Sequence, residues 1–116
     1  MSIKAMYQNN TSSVHLNTFY TPWFETVIGI RQGDSLSPTL FNCFINDLAL
    51  EVKRQHSGVN CNGVKCPILL YADDLALIAE TENDLQDMLN TVSDWCLKWR
   101  LKANPTKSQV VHFRPF

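Results

Sequence analysis

Two aspartates stand side by side in the stretch Ile68-Leu69-Leu70-Tyr71-Ala72-Asp73-Asp74-Leu75-Ala76-Leu77-Ile78-Ala79. Adjacent carboxylates repel, and a low-dielectric support makes the repulsion worse. A divalent cation is the usual remedy, with carboxylates supplying part of an octahedral shell and substrate phosphates the rest. The competing reading is a solvated turn, because Asp tolerates turn geometry and likes water. The apolar flanks favour the metal, since a merely solvated turn needs no such support. Those flanks are short runs with bulky residues on both sides of the pleat, which predicts central strands buried on both faces. With no room for a long loop between them, Ala72 to Asp74 is expected in a tight hairpin turn.

A second candidate is the polar loop Gly29-Ile30-Arg31-Gln32-Gly33-Asp34-Ser35-Leu36. Gly33 lets the backbone come close to a ligand, and Gln32 offers both donor and acceptor groups. Ser37-Pro38 then opens a helix, Ser37 as N-cap and Pro38 at the first helical position. A loop ending in a helix N-terminus suits anionic groups, although an ordinary strand-to-helix connection uses the same residues. A third candidate is Lys107, in Leu101-Lys102-Ala103-Asn104-Pro105-Thr106-Lys107.

The elements that position these groups follow from hydrophobic spacing. Leu40, Phe41, Phe44, Ile45, Leu48 and Val52 recur at three and four residues, an amphipathic helix to about Lys53. Leu85, Met88, Leu89, Val92, Trp95, Cys96 and Trp99 mark a second helix, with Thr81 as its cap and Asp84 in the capping-box position. Upstream, Met1 to Gln8 has helical spacing. Ser13–Leu16 and Phe24–Ile28 are strand-like runs joined by a turn over Asn17–Pro22. Gln55 to Lys65 reads as a loop or short hairpin, and Val110, Val111 and Phe113 as a final strand.

At 116 residues the chain has room for one small domain, and its 45% apolar content suits a globular core. The net charge of −1 gives no compositional sign of a nucleic-acid partner, and the basic residues after Asp94 read as a solvated surface. The four cysteines form no zinc-ligand spacing; Cys43 and Cys96 fall on the expected apolar helix faces. No apolar run is long enough to span a bilayer, and no signal peptide is apparent. An intracellular setting fits, with nucleus and cytoplasm not distinguished.

Tyr71-Ala72-Asp73-Asp74 between apolar strands resembles the signature hairpin of reverse transcriptases. Gly29 to Pro38, followed by Leu40-Phe41-Asn42, is similar to their motif B loop and helix. Its Arg-Gln-Gly and Ser-Pro-x-Leu-Phe-Asn wording looks like the non-LTR (LINE-type) retrotransposon branch. Asn104-Pro105-Thr106-Lys107 resembles motif D. An RNA-dependent RNA polymerase shares the acidic hairpin, but its usual wording is Gly-Asp-Asp. The three motifs stand in the family's order and span most of the chain.

The resemblance implies template-directed extension of a primer 3′-OH on RNA or DNA from deoxynucleoside triphosphates. Two Mg²⁺ (or Mn²⁺) ions about 3.5–4 Å apart would serve the complete enzyme. Asp73 would be the principal metal ligand, with Asp74 beside it. Tyr71 and Ala72 would lie beneath the primer end, and Arg31, Gln32 and Gly33 would contact template and incoming nucleotide. Lys107 would approach the triphosphate as charge neutraliser and general acid. The implied fold is α+β, part of a polymerase palm. A small, mostly antiparallel sheet, made of the central hairpin and the last strand, carries the two long helices on one face. The family's motif A strand, with its own metal-binding aspartate, is not found upstream, and neither are fingers or thumb. The expectation is therefore a palm fragment inactive by itself, with an unpaired edge beside the hairpin. The alternative is a non-catalytic remnant or nucleic-acid-binding domain of a degraded mobile element.

Overall fold

The structure, a computed structural model, describes residues 2–114. They form an α+β fold of three α-helices and four two-stranded antiparallel sheets, arranged in two compact units, one ending at Ser37 and the other starting at Pro38.

The first unit begins with a single helical turn, α1 (Ile3–Met6), shorter than the spacing suggested because Asn9, at φ +56, turns the chain immediately after it. Two nested hairpins follow. β1 (Thr11–Ser12) pairs with β4 (Phe24–Glu25), and inside them β2 (His15–Leu16) pairs with β3 (Phe19–Tyr20). Phe19 and Tyr20 were expected in the connecting turn. The reversal needs only Asn17 and Thr18, because Asn17 takes a left-handed φ of +49 that Asn tolerates. Phe19 and Tyr20 are thereby freed to pair, and Tyr20 stacks on His15 with ring centroids 4.4 Å apart.

The second unit holds the core. α2 (Ser37–Gln55) and α3 (Glu82–Lys98) carry the two apolar stripes read from the sequence. Thr81 caps α3 by accepting from the Asp84 N–H at 3.1 Å, while its own hydroxyl donates to the Asp84 carboxylate at 2.7 Å. The shorter Asp side chain therefore reaches the cap hydroxyl, a variant of the usual box. Between the helices, β5 (Val59–Cys61) and β6 (Val64–Cys66) form a hairpin. Its Asn62-Gly63 turn has φ of +52 and +86, the left-handed pair a two-residue I′ loop requires. Gly58 (φ +62) lets the chain pass so close to Cys66 and Pro67 that a side chain there would strike their backbone.

β7 (Ile68–Tyr71) and β8 (Asp74–Leu77) form the next hairpin. Ile68 joins Leu48, Ala49 and Val52 of α2 and Val92 and Trp95 of α3 in one buried cluster, with Leu70 and Leu77 packed against it. Phe44 meets both Trp95 and Trp99 at centroid distances of 5.1 and 5.4 Å. The Trp95 indole N–H donates to Asp47 at 3.0 Å, and His56 at the end of α2 bonds Thr91 of α3 at 2.8 Å. Both helices are thus tied to each other and to one face of the hairpin.

Three expectations are corrected. The hairpin is buried on one face only, with Leu69 54% and Tyr71 84% exposed on the other. The alternation of a strand covered by helices on a single side explains this, despite bulky residues on both. No final strand forms, because among the described residues Val110, Val111 and Phe113 find no pairing partner and lie exposed. Cys43 is exposed rather than part of an apolar face, while burial pushes the Cys96 thiol pKa up.

One-sided burial makes opposite predictions for neighbouring leucines. Leu48→Ala empties a buried site and should cost about 2–5 kcal/mol, whereas Leu69→Ala on the open face should cost less than about 1 kcal/mol. Denaturant unfolding of the two variants measures the contrast.

Candidate functional site

The strand register decides where each hairpin side chain goes. Ile68 faces Leu77 and Leu70 faces Leu75, on the side turned to the helices. Tyr71 faces Asp74, which places Asp74 with Tyr71 and Leu69 on the open side. Ala72 and Asp73 form the two-residue turn, so Asp74 is already the first residue of β8. Both carboxylates are exposed.

Ala72 has φ +51. The other non-glycine residues at positive φ are Asn9, Asn17, Asn62 and Arg100. Asn accepts such a backbone readily, and Arg100 occupies the left-handed position just past α3. At a positive φ in the first position of a two-residue hairpin loop, Gly, Asn or Asp is preferred. An alanine there carries strain on the order of 1–2 kcal/mol.

Beside the hairpin lies an open hollow of about 540 Å³, walled on one side by Phe41, Asn42, Ile45 and Asn46 of α2 and on the other by Leu70, Tyr71 and Ala72. Asn42 entered the sequence reading only as part of the motif B wording, and Asn46 was not singled out. Their i, i+4 spacing does place two amides on one helix face, which was the available signal.

Asp73 and Asp74 give two hard oxygen-donor groups on neighbouring residues. Such a set suits Mg²⁺, which is commonly held by one or two carboxylates and completes its shell with water and phosphate oxygens. Among the described residues no three His, Cys, Asp or Glu side chains converge on a metal-sized site.

Arg31, Gln32 and Gly33 belong to the first unit. Gly33 has φ +81 with open space where a side chain would project, and Gln32 is exposed. Arg31 donates to the Met6 carbonyl and to the Asn10 side chain. Asp34 closes the loop by accepting from the Leu36 N–H at 3.1 Å and, through its carbonyl, from the Ser37 N–H at 3.3 Å. Lys107 ends a 3-10 turn (Pro105–Lys107) in the second unit. Asn104 shapes that turn, its side chain accepting from the Thr106 N–H and hydroxyl at 3.1 and 2.7 Å. Lys107 itself is exposed.

The model of the family described as "Reverse transcriptase (RNA-dependent DNA polymerase)" matches residues 2–115. The chain belongs to the reverse transcriptase family. It is 32% identical over 110 residues, 95% of its length, to the "Retrovirus-related Pol polyprotein from type-1 retrotransposable element R2" of Nasonia vitripennis, covering 11% of that protein. It is 30% identical over 94% of its length to the corresponding polyprotein of type-2 element R2DM of Drosophila melanogaster, covering 10% of it. It is 31% identical over 73% of its length to the "RNA-directed DNA polymerase from mobile element jockey" of Drosophila funebris, covering 10% of it. These relatives come from non-LTR retrotransposons, and the chain spans about a tenth of their length. No solved structure gives a significant match.

The strain at Ala72 is open to measurement. Ala72→Gly should raise stability by roughly 0.5–1 kcal/mol, the relief of strain being partly offset by the added freedom of the unfolded chain. Ala72→Val, branched at a left-handed φ, should lower it by at least about 1 kcal/mol. Paired denaturation curves check both signs.

Proposed function

We propose that this chain carries the carboxylate hairpin and substrate-facing loops of an RNA-directed DNA polymerase. The reaction is extension of a primer 3′-OH on an RNA or DNA template by deoxynucleoside triphosphates. The observation that carries the reading is the pair Asp73-Asp74, exposed at the tip of a hairpin whose opposite face is fixed in the core.

Asp73, in the turn, is the principal metal ligand, and Asp74 adds charge and a second oxygen donor. A pair of divalent ions, Mg²⁺ or Mn²⁺, would activate the primer hydroxyl and stabilise the leaving oxygen. Tyr71 presents a broad exposed ring beneath the primer end, and Ala72 keeps the turn beside it free of bulk. Asn42 and Asn46 supply hydrogen-bonding groups on the facing wall of the hollow. Gln32 and Gly33 place template and nucleotide through backbone and shape rather than base edges. Lys107 neutralises triphosphate charge and delivers a proton to the departing pyrophosphate.

Two carboxylates hold a metal weakly when no third ligand converges on them, so the 116-residue chain is not expected to sustain primer extension alone. Calorimetric titration with Mn²⁺ should show weak binding to the wild type and none to Asp73→Ala. Binding that survives the substitution would remove Asp73 as principal ligand. Steady primer extension by the purified chain would overturn its dependence on further residues.

A further inference from the structure

We infer that Arg31 is an internal brace for the Gln32-Gly33 loop, with its guanidinium committed to the protein rather than to nucleic acid. A basic residue next to a template-facing loop invites assignment as a phosphate contact. The side-chain geometry points elsewhere. One guanidinium nitrogen of Arg31 donates to the Met6 carbonyl at 2.6 Å and also to the Asn10 side-chain oxygen. The Met6 carbonyl lies at the end of α1, where the helix provides it no partner of its own. The guanidinium plane also sits over the Tyr7 ring, 5.6 Å from its centroid.

Tyr7 is the second half of the device. Its phenol lies 3.4 Å from the Asp34 carboxylate, to which it donates, and 3.2 Å from the Ser37 hydroxyl. Ser37 is buried, so this contact is sheltered from water. A single residue thus holds the loop at two points, through its ring at Arg31 and through its hydroxyl at Asp34. Gln32 and Gly33 lie between those points and are exposed, as is Arg31 itself. The attachment fixes the ends of a four-residue arc while leaving its middle outward. An ammonium at this position could still donate to both acceptors, but it would lack the flat guanidinium face that lies over the Tyr7 ring.

The consequence for template placement rests on the proposed reading of Gln32 and Gly33, but the brace can be tested without it. Trypsin must draw an Arg or Lys side chain into its own acidic pocket before it cuts, so Arg31 has to leave Tyr7, Met6 and Asn10 first. In limited proteolysis of the full 116-residue chain, the Arg31–Gln32 bond should be cut about tenfold more slowly than Lys102–Ala103, which lies in an exposed irregular segment. Asn10→Ala and Tyr7→Leu each remove a partner and leave the scissile arginine in place, so each should accelerate cleavage after Arg31 several-fold and leave the Lys102 rate unchanged. Equal rates at the two bonds in the wild type would overturn the brace, with no variant required. Both variants remaining as protected as the wild type would also overturn it, since neither partner would then be holding Arg31. Failure of metal binding at Asp73 would move neither rate.

Discussion

The contact between the inward face of the β7–β8 hairpin and the two long helices is the constraint on which the candidate site depends. Ile68 is buried among Leu48 and Val52 of α2 and Val92 and Trp95 of α3, and Leu70 and Leu77 pack against that cluster. Because strand side chains alternate, fixing this face fixes the other. A one-residue slip in either strand would carry leucines to solvent and the Asp74 carboxylate toward the core, so the apolar contact also selects the register. The carboxylates are then presented at the tip by a rigid support, with their repulsion relieved by water or a cation rather than by protein charge. The Trp95–Asp47 and His56–Thr91 bonds keep the two helices at a fixed separation beneath the hairpin.

A comparable logic operates in the first unit on a smaller scale. That unit has little buried apolar surface, and it holds its Gln32-Gly33 loop with directional contacts instead. Tyr7, Arg31, Asp34 and Ser37 form a polar and cation–π cluster that takes the place of packing. Such clusters depend on geometry at each partner, and a nominally conservative replacement can undo them. The two units thus illustrate two ways of holding exposed residues in place, one by core burial and one by a hydrogen-bonded brace.

Much of this was legible in the sequence. Both long helices followed from apolar stripes at three- and four-residue spacing, and the acidic hairpin from its abrupt apolar–acidic–apolar pattern. The Asn-Gly pair at 62 and 63 marked a reversal that the structure closes as a β-hairpin. What escaped depends on information spacing does not carry. Leu69 and Tyr71 look like core residues, yet whether a second layer covers a strand is a property of the whole assembly. Val110, Val111 and Phe113 have strand character, but a strand also needs a partner edge. Phe19 and Tyr20 pair because Asn17 adopts a left-handed backbone, a choice propensity alone leaves open. The role of Tyr7 requires contacts 27 and 30 residues away in sequence, which no local pattern reveals.

The proposed cation site is the pair of exposed carboxylates at the hairpin tip, held in place by the buried face behind them. Paramagnetic broadening by Mn²⁺ in a backbone-resolved NMR spectrum tests this most directly, because it locates the ion as well as detecting it. The amide signals of Ala72, Asp73 and Asp74 should be lost selectively at the lowest Mn²⁺ additions, with the α3 amides around Val92 intact. Broadening centred on another acidic cluster, such as Glu82 and Asp84 at the start of α3, would contradict it.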